Sequence, residues 1–101
     1  MADTTLLDPL GRKCILTERT WERHILVSHP EMDGGREYVE QAVISPISIW
    51  TSFSDSDVRI YYGLGPHIGL KVAVKVNIEK QIVLTAHLVK KETGASIEWP
   101  Q

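Results

Sequence analysis

The chain has 101 residues, a formal net charge of −2, 43% apolar and 24% charged residues, and one cysteine. That length fits one domain, 1–101, with a small core, and the charge excludes a general basic coat for nucleic acid, so any basic surface must be local. A lone Cys14 excludes an internal disulfide, no run approaches the ~18 apolar residues of a membrane span, and no basic-then-apolar leader opens the sequence, so the expectation is a cytoplasmic protein with no membrane partner.

Residues 1–11 and 92–101 read as loose ends, with a turn at Asp8-Pro9-Leu10-Gly11. Lys13 to Leu16 is a short strand, and Cys14 within it a small buried hydrophobe. Thr17 is a good N-cap with Glu18 at the positive end of a helix that runs through Trp21, Ile25 and Ser28 to Pro30. After Asp33-Gly34-Gly35, the stripe Tyr38, Val39, Ala42, Val43 predicts a second helix that stops before Pro46.

Strand signals fill the rest. Ile47 to Phe53 has Ile47, Ile49 and Phe53 on one face and Trp50 on the other, and Val58, Ile60 and Tyr62 alternate with Arg59 and Tyr61. Leu70 to Ile78 and Ile82 to Val89 alternate most clearly and predict a hairpin around Glu79-Lys80-Gln81. In that register Val76 opposes Leu84, Val74 opposes Ala86, Val72 opposes Leu88, and Lys75 opposes Thr85. The predicted class is α+β, with N-terminal helices packed on one face of a four-stranded antiparallel sheet. The core face is expected to carry Val58, Ile60, Tyr62, Val72, Val74, Val76, Ile82, Leu84 and Leu88. The open face then carries Arg59, Tyr61, Lys71, Lys75, Thr85 and His87.

Two cations, a hydroxyl and an imidazole gathered on one hairpin face suit an anion, phosphate in particular. Cleaving a ribonucleotide chain takes a base for the 2′-hydroxyl, an acid for the leaving oxygen, and cations for the developing charge. This set offers all three without a metal or a cofactor. The bland alternative is a solvated sheet face of ordinary long side chains, with His87 simply packed between aliphatics. Elsewhere, His24 and His29 lie about 140° apart around a helix, which is not a metal-ligand spacing. His29 suits the C-terminal end of the helix, where a cation is favoured. Gly65-Pro66-His67 offers backbone N–H groups and an imidazole to a phosphate, without the spacing of a P-loop.

The stretch Leu16-Thr17-Glu18-Arg19-Thr20-Trp21-Glu22-Arg23-His24-Ile25-Leu26-Val27-Ser28-His29-Pro30-Glu31 resembles the opening of the phage-barnase-EndoU-colicin-RelE-like nuclease family, and Thr85-Ala86-His87-Leu88 resembles the family's last strand. The likeness spans residues 12 to 90. It implies a barnase- or RelE-like fold, metal-independent RNA cleavage, a phage, prophage or toxin context, and a protein inhibitor or antitoxin as partner. It places family positions on His24, His29 and Glu31, on Thr85 and His87, and on Arg59 and Lys71.

The combined expectation is an endoribonuclease that leaves a 2′,3′-cyclic phosphate. Its catalytic residues are His24, His29, His87, Lys71 and Thr85, and its substrate-binding residues are Arg59, Tyr61, Lys75, Glu31 and His67. The alternatives are an RNA- or protein-binding module without chemistry, and a structural homodimer formed through Trp50 or Trp99.

Overall fold

The computed structural model describes residues 3–101. Its strands are β1 (Thr4–Leu7), β2 (Lys13–Leu16), β3 (Ser48–Thr51), β4 (Val58–Leu64), β5 (Lys71–Asn77), β6 (Ile82–Val89) and β7 (Ile97–Trp99). They form one seven-stranded sheet in the order β1-β2-β6-β5-β4-β3-β7. All neighbours are antiparallel except β2 and β6, which meet in parallel at Ile15 and Ile82. The sheet curls so far that Arg12, in the turn between β1 and β2, reaches Glu98 on the opposite edge strand at 2.6 Å.

This corrects the expected fold. The sheet is mixed and seven-stranded, not a four-stranded antiparallel meander beneath N-terminal helices. Of the three additional strands, β1 and β7 come from segments expected to be loose, and β2 is the short strand expected at Lys13 to Leu16, here joined to the sheet beside β6. In β1, Thr5 and Leu7 face outward while Leu6 is buried opposite Cys14. In β7, Ile97 and Trp99 pair with Trp50 and Ile49. Of the expected loose arm, residues 1 and 2 lie outside the described residues.

The helical turns Glu18–Thr20, Trp21–Ile25 and Leu26–Ser28 run on as one 11-residue helix, α1. The Thr17 hydroxyl caps it by accepting from the Thr20 N–H at 3.0 Å. Its middle stretch is wound as a π-helix, with the Leu26 N–H donating to the Trp21 carbonyl. Such wide turns inside a helix commonly mark functional segments. A 3-10 turn follows at Pro30–Met32, and α2 spans Arg36–Ile44. The helix α2 lies close on β4: a Cβ on Gly63 would stand 2.6 Å from both Cα and Cβ of Ala42.

The face assignments need a second correction. The main core takes Val72, Val74 and Val76 of β5, Ala86 and Leu88 of β6, and Tyr61 of β4, together with Trp21, Ile25, Met32, Val39 and Val43 from the helical half. Ile60 and Tyr62, expected there, lie on the other face in a smaller cluster with Ala73, Trp50 and Val89. The register explains it, because Tyr61 opposes Val74 and Tyr62 opposes Ala73. In the hairpin, Val72 opposes Leu88 and Val74 opposes Ala86, but a bulge after Lys75 sets Val76 opposite Val83. One extra residue in one strand inverts the faces beyond it, so Val83 is buried and Leu84 is exposed.

Candidate functional site

The bulge leaves the upper hairpin in the register that matters here. Lys75 opposes Thr85, Ala73 opposes His87 and Lys71 opposes Val89, so Lys71, Lys75, Thr85 and His87 share the outer sheet face. Because β2 touches β6 only near Ile82, the segment after α1 packs against β6 instead. Pro30 ends α1, His29 leaves helical geometry at φ −134° and ψ 71°, and buried Met32 anchors the turn. That exit presents His29 to His87. The two rings stack with centroids 5.1 Å apart and planes 26° apart. The Glu31 carboxylate stands 3.6 Å from Nδ1 of His29.

Nδ1 of His87 is buried and has no hydrogen-bond partner among the described residues. Leaving a buried polar atom unpaired costs about 1–3 kcal/mol, so the position calls for an account beyond simple packing. Burial first, and then the charges of His29 and Lys75, hold the His87 imidazole below its ordinary range, against an opposing pull from Glu31. At neutral pH the ring is therefore uncharged and able to accept a proton.

His87 and Lys75 line a groove of about 240 Å³. Its floor is the outer sheet face at Ile60, Tyr62, Ala73 and Val89, and its rims are Ser52, Phe53 and Ser54 on one loop and Thr93 and Gly94 on another. The second loop is tied down. The Tyr62 hydroxyl donates to the Thr93 carbonyl at 2.6 Å and accepts from the Thr93 N–H at 2.9 Å. Glu92 accepts from the Ser48 hydroxyl and pairs with Lys71 at 3.8 Å. Gly94 fits because a Cβ there would stand 2.8 Å from the Thr51 carbonyl oxygen and from Cβ of Trp50. A larger cavity, about 350 Å³, lies between α2 and the end of β4, lined by Glu37, Tyr38, Gln41, Ser45 and Leu64. It has no cation and no imidazole, so the smaller groove is the better anion site.

The structure divides the predicted site residues. His29, Glu31, Lys75 and His87 come together, Thr85 lies opposite Lys75, and Lys71 sits on the same face but is paired with Glu92. His24 and His67 are exposed and take no part in the His29–His87 stack. Tyr61 and Arg59 belong to the opposite face, which corrects their expected place on the cationic surface. Tyr61 is 1% exposed and donates to Asp8. Asp8 also accepts from Arg12 Nε at 2.8 Å, Arg12 bridges to Glu98, and Arg59 Nε donates to Glu98 at 2.9 Å. Burial raises the Asp8 and Glu98 carboxyls, but their hydrogen bonds and the neighbouring guanidinium charges outweigh it and hold both below the usual range. Cys14, beside this network, is pushed up to about 12, by burial first and then by the Asp8 charge, so its thiol is inert.

Tyr62, expected in the core, lines the groove, and so does Phe53, expected at the end of a strand but lying in the loop after β3. A signal was present for Phe53: it is a single aromatic among Ser52, Ser54, Asp55 and Ser56, polar residues that do not bury a strand end. Among the described residues no helix is long and apolar enough to cross a membrane, and no group of three or more His, Cys, Asp or Glu is arranged to hold a metal ion. Set against known protein families, curated proteins and solved structures, the chain gives no significant match.

Proposed function

We propose that this chain cleaves RNA at the groove that holds His87 and Lys75, by attack of the 2′-hydroxyl and without a metal. The observation that carries the reading is the buried Nδ1 of an uncharged His87, without a hydrogen-bond partner among the described residues, stacked on His29 and beside Lys75. In this scheme His87 takes the proton of the 2′-hydroxyl, and the 2′-oxygen forms a bond to phosphorus. The bond to the 5′-oxygen breaks, and that oxygen takes a proton from His29, which Glu31 orients. Lys75 stabilises the charge on the non-bridging oxygens, and the Thr85 hydroxyl donates to them. The products are a 2′,3′-cyclic phosphate and a free 5′-hydroxyl. His29 replaces His24 as the partner of His87. The resemblance to phage-associated nucleases supports the same chemistry and adds a protein inhibitor as the partner to look for.

A second reading, RNA binding without cleavage, is favoured by the near-parallel stacking of the two rings, which sets them side by side rather than facing one another across a phosphate. Incubating labelled RNA with the protein in excess EDTA, with His87→Ala as control, separates the two. Cyclic-phosphate ends that disappear in the variant support cleavage. Salt-sensitive binding with no cutting by either protein supports the second reading. Cutting that persists undiminished in the variant would falsify the role of His87.

A further inference from the structure

Phe53 is 81% exposed and lies on a groove rim rather than in the core. An aromatic ring held in water on a short polar loop contributes little to folding. The groove it borders has an apolar floor formed by Ile60, Tyr62, Ala73 and Val89, and polar groups at its rims from Ser52, Ser54 and Thr93. On the same face stand Lys75 and His87, and just past the end of β6 the chain carries Lys90 and Lys91, both exposed. The net charge of the chain is −2, so attraction of a phosphate here rests on local cations such as Lys75 rather than on the charge of the molecule. An apolar groove floor, an exposed aromatic ring on its rim, and Lys75 and His87 in its lining match an unpaired nucleotide: the base stacks on the ring and its phosphate meets the lysine. A duplex keeps its bases stacked inside, so none is free to stack on a ring at the groove rim.

We propose that Phe53 is the stacking platform for one unpaired base, and that the groove therefore selects single-stranded over double-stranded nucleic acid. The inference rests on the RNA-directed reading above and names its substrate class, but it does not require chemistry. Phe53 touches the base and not the reacting phosphate, so its role is in binding and selectivity.

The test uses a labelled single-stranded 2′-deoxyoligonucleotide, which lacks the attacking hydroxyl and stays intact, with binding read by fluorescence anisotropy. Phe53→Ala is expected to weaken binding roughly ten-fold, the usual size for loss of one base–aromatic stack. Phe53→Tyr is expected to keep the affinity, and Phe53→Leu to lose it as Ala does. An oligonucleotide with abasic positions should bind the parent protein only as well as it binds Phe53→Ala. Binding to the matching duplex should be weak and independent of residue 53. Because the side chain is exposed, unchanged thermal midpoints will show that the variants fold. Equal affinity of parent and Phe53→Ala, equal losses on normal and abasic strands, or no single-strand binding at all overturns the proposal. If the parent cuts RNA yet binding is indifferent to Phe53, cleavage stands and the platform falls. If Phe53-dependent binding occurs without cutting, the platform stands and cleavage falls.

Discussion

Replacing Asp8 by Ala tests whether the curled sheet depends on its buried carboxylate. The Asp8 side chain is 1% exposed and accepts from the Leu10 N–H at 2.9 Å, the Arg12 N–H at 2.8 Å, Arg12 Nε at 2.8 Å and the Tyr61 hydroxyl. Alanine orphans the Tyr61 O–H in a site that is 1% exposed and takes one of two carboxylates from Arg12. Removing one partner of a buried ion pair costs about 3–5 kcal/mol. Arg12 is 26% exposed and keeps Glu98, so the expected loss is at the low end, about 3 kcal/mol. For a domain of this size that lowers the thermal midpoint by roughly 12 °C or more. Tyr61→Phe removes one donor of four and is expected to cost about 1.5–2 kcal/mol. The double variant should be more stable than the sum of the two losses by about 1 kcal/mol, because no orphaned hydroxyl remains. Urea denaturation of the four proteins measures all three quantities. A loss below about 1 kcal/mol for Asp8→Ala, or strict additivity, would refute the reasoning.

Two further predictions concern packing and pH. Gly63→Ala places a Cβ 2.6 Å from backbone-anchored atoms of Ala42, which cannot rotate away. The helix α2 must retreat, at a cost of about 2–3 kcal/mol read by calorimetry, and an unchanged midpoint would show that the contact is soft. As for pH, the folded His87 is depressed below the 6.5 of the unfolded chain, so the unfolded state binds more protons just below that value. Stability should therefore fall as pH drops below about 6.5 and level off beneath the folded value. Asp8 and Glu98, also depressed, contribute stability that is complete above their unfolded values of 3.8 and 4.5 and lost as pH falls through the folded ones. His87→Gln should remove the first phase and leave the second, as followed by circular dichroism across a pH series.

The hairpin was legible because Val72, Val74, Ala86 and Leu88 set an apolar period of two against Lys71, Lys75, Thr85 and His87. Below Lys75 it was not, since the bulge at Leu84 leaves no mark in composition. The strand β4 carries large apolar or aromatic side chains on both faces, so alternation reveals a strand without saying which face Tyr61 takes. Both edge strands were invisible for another reason. Thr4–Leu7 and Ile97–Trp99 are too short to show a period, and tertiary pairing alone holds them extended. The approach of His29 to His87 follows from how β2 leaves β6 uncovered, a property of topology that no spacing along the chain encodes.

The bridge from Arg12 to Glu98 also bears on when the fold can close. Arg12 precedes Glu98 by 86 residues, so the arginine leaves the ribosome well before the carboxylate it binds. Until residue 98 emerges, Arg12 and Arg59 have no carboxylate in common, and the edge of β3 that later holds β7 stays open. The two edges of the sheet can therefore be joined only after nearly all of these residues have been synthesised, and a contact so distant in sequence slows folding. Nascent chains stalled before Ile97 should remain sensitive to protease around Tyr61, and protection should arrive in one step once the Trp99 segment is free.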